Sequence, residues 1–237
     1  MTPDDLPLAY AAQVITHLTV IPNAIISYTY GRFGLLSIGL ATVFTSFFYH
    51  ICDVMATQAY YAQRLPHHSR IRLLGLTAGQ WHRLDNIFTI LSFQYLILRI
   101  MRIKSARVFN FWQMILFSIS IFCQEVGPWK IEFTIIPIII PATALFIQWV
   151  FGSFAPTVPS AAENQGKKRT STYVAFASIC LIPAIYCFVK GLDDENDWIR
   201  IHHSLWHVFL NLTVSFVLLA LGRTQTNDAQ LADKKHQ

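Results

Sequence analysis

Residues 132–151 read EFTIIPIIIPATALFIQWVF. Beyond Glu132 the stretch holds no charged residue. Its length is the roughly 20 residues that an α-helix needs to cross the hydrocarbon core of a bilayer. Working outward, the cores of 108–126 and 173–189 are equally charge-free. Four further stretches, 10–28, 34–55, 82–100 and 198–221, are long enough and mainly apolar. The expected fold is therefore all-α, a polytopic bundle of seven transmembrane helices forming one domain over 1–237, with a polar tail at 222–237. Composition agrees: 54% of the residues are hydrophobic and 13% charged, against about 25% charged in soluble domains. That balance excludes a soluble enzyme, a nucleic-acid-binding domain and a disordered chain.

The net charge of +5 marks topology and not a nucleic-acid partner, because the longest basic run is only Lys167-Lys168-Arg169. With the N-terminus outside, the inner connections hold Arg32, Arg99, Arg102, Lys104, Arg107, Lys167, Lys168, Arg169, Arg223, Lys234 and Lys235. The outer side then holds Asp4, Asp5 and the Asp193–Asp197 run, which reads as a solvated loop. The Lys/Arg bias thus puts the N-terminus outside or lumenal and the C-terminus in the cytosol. Arg64, Arg70 and Arg72 are the exception. Asp4 and Asp5 also distinguish the first span from a cleavable signal peptide, whose n-region is basic. His17 and Pro22 interrupt that span, which a buried membrane helix tolerates. Leu65–Ser69 reads as a loop, and 71–77 is too short to cross. Cys52, Cys123, Cys180 and Cys187 lack zinc-module spacing; one disulfide or buried free thiols both fit. The sequon at Asn211 lies inside the seventh span and is unusable there.

Three spans carry ionisable residues near one end. Ser46 and His50 are four residues apart and share a helix face, with Asp53 close to it. Asp85 opens the third span, and His203 and His207 share a face at the start of the seventh, with Asn211 one turn on. The expected topology brings all of these to one depth on the outer side. Histidine is the commonest metal ligand, and three imidazoles with one open position make a catalytic zinc site whose bound water has a pKa of about 7. His50, His203 and His207 are the candidate ligands of one zinc ion. Asp85 is the candidate proton acceptor, Ser46 a hydrogen-bonding group near the attacked carbonyl, and Asp53 an orienting partner of a ligand ring. The alternatives stay open: an interfacial His203/His207 pair bonded to backbone or water, a helix-starting role for Asp85, and His82 as a rival ligand.

Ser-x-x-x-His late in the second span, Asp at the start of the third and His-x-x-x-His at the start of the seventh resemble the CREST superfamily. That group joins alkaline ceramidases, progestin and adipoQ receptors and the myomaker-like branch. Phe48-Tyr49-His50-Ile51-Cys52-Asp53 and the 198–221 segment look closest to that last branch. The resemblance implies that His50, His203 and His207 bind zinc, that Asp85 attends the zinc-bound water and that Ser46 belongs to the site. It implies a hydrolase of membrane-lipid amides or esters, with the lipid as substrate or ligand. Two departures bear on specific roles: 224–237 is polar and lacks the Cys-rich tail of vertebrate myomaker, and no large extracellular domain precedes the first span. The alternative is a non-enzymatic, myomaker-like protein with structural zinc, acting in fusion, trafficking or reception. A transporter is disfavoured by the lack of an internal repeat. Plasma membrane and endoplasmic reticulum or Golgi are not distinguished, and protein partners are unknown.

Overall fold

The computed structural model describes residues 6–63, 71–103, 105–152, 161–192, 197 and 200–233. The elements are α1 (Leu6–Thr16), a 3-10 turn (His17–Val20), α2 (Ile21–Thr29), α3 (Phe33–Gln63), β1 (Arg72–Leu73), β2 (Leu76–Thr77), α4 (Ala78–Ile100), α5 (Ala106–Val126), α6 (Ile131–Gly152), α7 (Ala161–Gly191) and α8 (Ile201–Asp233). Among the described residues five helical stretches are long and apolar enough to cross a membrane: Phe33–Ala56, Ala106–Val126, Ile131–Phe151, Ser171–Gly191 and Ile201–Gly222. The chain is therefore an integral, multi-pass membrane protein. The stretches expected as the first and third spans are also helical. The first is divided into segments too short to cross alone, and α4 carries Gln80, His82, Arg83, Asp85, Asn86 and Gln94. The expected loop at Leu65–Ser69, including His67 and His68, lies outside the described residues, as do Arg64, Arg70, Lys104 and Asp193–Asn196.

The chain divides into two compact units: Met1–Phe33 with Thr157–Gln237, and Gly34–Pro156. In the first, α8 is the element on which α1, α2, the 3-10 turn and α7 all pack. The 3-10 turn has local causes. Thr16 Oγ1 and Thr19 Oγ1 donate to the carbonyls of Gln13 and Thr16 at 2.9 and 2.6 Å, and the His17 ring bonds Gln13 O. Such back-bonding competes with the helical ladder. Pro22 has no N–H to offer Leu18 O, and Ile21 N–H takes that carbonyl in the tighter 3-10 pattern. The buried positions here are Gln13, His17, Asn23 and Ser27, whereas Ile15, Leu18, Ile21, Ile25 and Tyr28 are exposed. Polar residues face inward and apolar ones outward, the arrangement expected where lipid is the solvent.

The second unit is built on α4, against which α5 and α6 pack. Thr77 and Gln80 form a reciprocal cap at its start: Gln80 N–H donates to Thr77 Oγ1 and Thr77 N–H to Gln80 Oε1. Just before it, Leu73 pairs with Leu76 across a two-residue turn in which Leu74 and Gly75 have φ of 52° and 83°. Positive φ at both positions is what a type I′ hairpin requires. The hairpin packs on Tyr49, Cys52, Ala78 and Trp81, and Trp81 Nε1 donates to Leu73 O at 2.9 Å.

Two prolines inside α6 show how this unit meets the demands of the bilayer. Pro137 and Pro141 lack the N–H groups that would bond the carbonyls four residues earlier, those of Phe133 and Pro137. Gln124 Nε2 donates to Phe133 O at 3.2 Å, and Gln94 Nε2 donates to Pro137 O at 3.1 Å. Both glutamines are fully buried. Each donor sits where the imino acid removed one.

Candidate metal centre

In the first unit, α8 carries His203, His207, Asn211 and Ser215 at four-residue intervals, a single stripe along one face. The 3-10 turn and α2 answer it rung by rung. The rings of His17 and His207 lie 4.9 Å apart. Asn211 donates to Thr19 Oγ1 and accepts from Asn23 Nδ2, both at 2.9 Å. Ser215 donates to Asn23 Oδ1 at 2.5 Å. The Asn211 side chain is thus held in helix–helix packing, as a sequon inside a span would be.

The nitrogens at the top of this stripe suit a metal. His203 Nε2 and His207 Nε2 are 3.3 Å apart. Two zinc–nitrogen bonds of about 2.0–2.1 Å at a tetrahedral angle give an edge of roughly 3.3–3.4 Å, so the pair has the spacing of adjacent coordination corners. His17 is prepared in the same sense. Its Nδ1 bonds the carbonyl of Gln13 at 2.5 Å. A carbonyl only accepts, so Nδ1 carries the proton and Nε2 presents its lone pair, the usual way a ligand tautomer is fixed. The ligand nitrogens of His17 and His207 lie within 4.8 Å of one another. His207 is thus accompanied in this unit by two further imidazoles, those of His17 and His203, and histidine is the commonest metal ligand.

The start of α8 is held from two sides. Asp197 accepts the backbone N–H of His202 at 2.9 Å and of His203 at 3.0 Å, and the His202 ring donates to it at 2.8 Å. Asp197 is 2% exposed. This corrects the reading of the whole acidic run as solvated loop: a carboxylate beside the unsatisfied N–H groups of a helix start is a cap. On the other side stands Gly191, where a Cβ would lie 2.8 Å from His203 N and 2.9 Å from its Cα. Only glycine allows α7 to end that close to the His203 backbone.

The second unit holds the other candidates. On α3, Ser46, His50 and Asp53 are all buried, at 2%, 0% and 2% exposure. Asp85 on α4 accepts hydrogen bonds from the side chains of Ser46 and Thr89. Ser46 and Asp85, paired from sequence only by expected depth, are thus partners. His82 stacks flat on Trp129 with centroids 3.9 Å apart, and Arg83 pairs with Glu125 at 3.0 Å. The four cysteines are free thiols, and Cys52 Sγ donates to Ile71 O, just ahead of the hairpin.

His17 is the residue that sequence reasoning passed over, treating it as an interruption of a span. The signal was available, since an ionisable residue inside a membrane segment is a functional candidate in its own right. A family described as Protein of unknown function (DUF3522) has a model that matches residues 7–208. No curated protein matches the chain.

Proposed function

The chain belongs to the DUF3522 family, and from that premise we propose that it is a zinc-dependent, membrane-embedded hydrolase of lipid amides or esters. The observation that carries this reading is the 3.3 Å separation of His203 Nε2 and His207 Nε2, with the ring of His17 4.9 Å from that of His207. The ligand set is His50, His203 and His207, with His17 as a further imidazole. His50 enters it from its place in the Ser-x-x-x-His pattern, and the similarity to the CREST superfamily supports the assignment. The same reading takes the chain as seven spans, counting 10–28 and α4, with its N-terminus outside and its C-terminus in the cytosol.

Zinc, when bound, supplies Lewis acidity toward a carbonyl and toward water. The chain's own residues do the rest. Asp85 receives the proton lost from the attacking water and passes it to the leaving group. Ser46 and Thr89 hold its carboxylate in place through their hydrogen bonds. Asp197 and Gly191 fix where α8 begins and hence where His203 stands. The lipid comes from the bilayer that the helices cross.

The test is metal content by mass spectrometry with turnover of ester and amide lipid panels. Wild type is expected to carry one zinc per chain and to hydrolyse a lipid. His203→Ala should lose both, and Asp85→Asn should keep its metal while losing about 10²–10⁴-fold in rate. Zinc without turnover in wild type would leave the structural-zinc alternative. Equal turnover in wild type and His203→Ala would remove the hydrolase.

A further inference from the structure

The inward face of the first helical segment is polar throughout, and His17, Thr19 and Asn23 all meet α8. Gln13 differs. It is 1% exposed, yet among the described residues neither its Nε2 nor its Oε1 has a hydrogen-bond partner. It stands one turn before His17 on the same face. Residue numbers rise together along this segment and α8, since His17 meets His207 and Asn23 meets Asn211 and Ser215. The two elements therefore run parallel, and Gln13 falls at the level where α8 begins. At that level is Ser204, 4% exposed, whose Oγ is likewise without a partner among the described residues.

A buried amide with both ends unmet costs about 1–3 kcal/mol or more. Two such groups beside one histidine cluster mark a place where a ligand completes the bonding. Neither carries charge, and neither would offset the cost of burying an ion in the bilayer, so the complementary group is neutral. Gln13 Oε1 requires a donor and its Nε2 an acceptor, so that group offers both. The bilayer is the source of such a group, because the outward face of this same segment, with Ile15 and Leu18 61% and 60% exposed, meets lipid.

We infer that Gln13 and Ser204 form a subsite for an uncharged lipid group bearing a donor as well as an acceptor, the hydroxyl of an acylglycerol or the N–H of a fatty amide. This deepens the reading of the histidine cluster as a lipid site but does not depend on hydrolysis.

Three probes sharing one oleoyl chain test it on the full-length protein in detergent: monooleoylglycerol, oleamide and methyl oleate, which accepts but cannot donate. Affinity is read from thermal stabilisation over a concentration series. Wild type should bind at least one of the first two about tenfold or more tighter than methyl oleate, the worth of one unmet buried partner. Which of them binds tighter identifies the group. Gln13→Met should abolish the preference and Ser204→Ala reduce it, both with zinc content unchanged. Without lipid, Gln13→Met should be at least as stable as wild type, since an unpaired buried amide gives way to an apolar side chain of similar length. Equal affinities in wild type, a preference that survives in both variants, or a destabilised ligand-free Gln13→Met would each overturn the subsite. Preference without turnover in wild type would leave the subsite standing and remove only the hydrolase.

Discussion

Replacing Gly191 by alanine tests whether the end of α7 sets the position of a metal ligand. The new Cβ would stand 2.8 Å from His203 N, 2.9 Å from its Cα and 3.2 Å from its Cβ. Two of these are backbone atoms, which have no rotamer to yield. Restoring ordinary van der Waals contact moves the first turn of α8 by about half an ångström. Metal–ligand distances tolerate only about 0.2 Å, so a shift of that size takes His203 Nε2 off the corner it shares with His207. Overpacking of this kind costs about 1–3 kcal/mol, which is roughly 5- to 150-fold in zinc affinity if the strain falls on the site. The assay is zinc titration of the purified protein in nanodiscs against a competing chelator, with Gly39→Ala as control because a Cβ there meets nothing within 4 Å. Wild-type zinc affinity in Gly191→Ala, with Gly39→Ala also unchanged, would refute the idea that this contact positions His203.

Other substitutions probe the helix start and the proline sites. Asp197→Ala removes the acceptor of two backbone N–H groups and the His202 ring; a loss of about 0.5–2 kcal/mol is expected by thermal unfolding, with weaker zinc binding by the same chelator competition. Gln94→Leu should cost about 1–3 kcal/mol by leaving Pro137 O unmet. The share of that cost that falls on Pro137 O should vanish in a Pro141→Ala background, where the helix restores its own N–H, while the share from the bonds to Ser120 Oγ and Leu116 O should remain. Additive effects of the two changes would show that Gln94 is not compensating for the proline.

Much of this was readable from the chain itself. The five membrane-crossing stretches coincide with apolar runs, because in a bilayer hydropathy and backbone satisfaction demand the same thing. His203 and His207 were visible as a pair since α8 is regular there and four residues return to one face. The inward face of the first segment was not. In a continuous α-helix, the six residues from His17 to Asn23 would leave the two about 120° apart. The 3-10 turn, at three residues per turn, brings them within about 40°. No fixed period connects Gln13, His17, Asn23 and Ser27, so a periodicity search cannot find their common face. Asp197 was hidden for another reason: in a run of acids, nothing local distinguishes the one that folds back onto a helix start.

The polar rungs between the N-terminal segment and α8 also set an order of biogenesis. Asn23 meets Asn211 across 188 positions of chain. During synthesis the first segment therefore reaches the membrane long before its partner exists. His17, Thr19 and Asn23 are then polar groups without their counterparts on α8, which makes the segment a poor passenger for lipid on its own. The segment is expected to wait at the translocon, or near the headgroups, until the last helix is made. A nascent chain stopped before α8 is thus the form of this protein that a quality-control protease should recognise first.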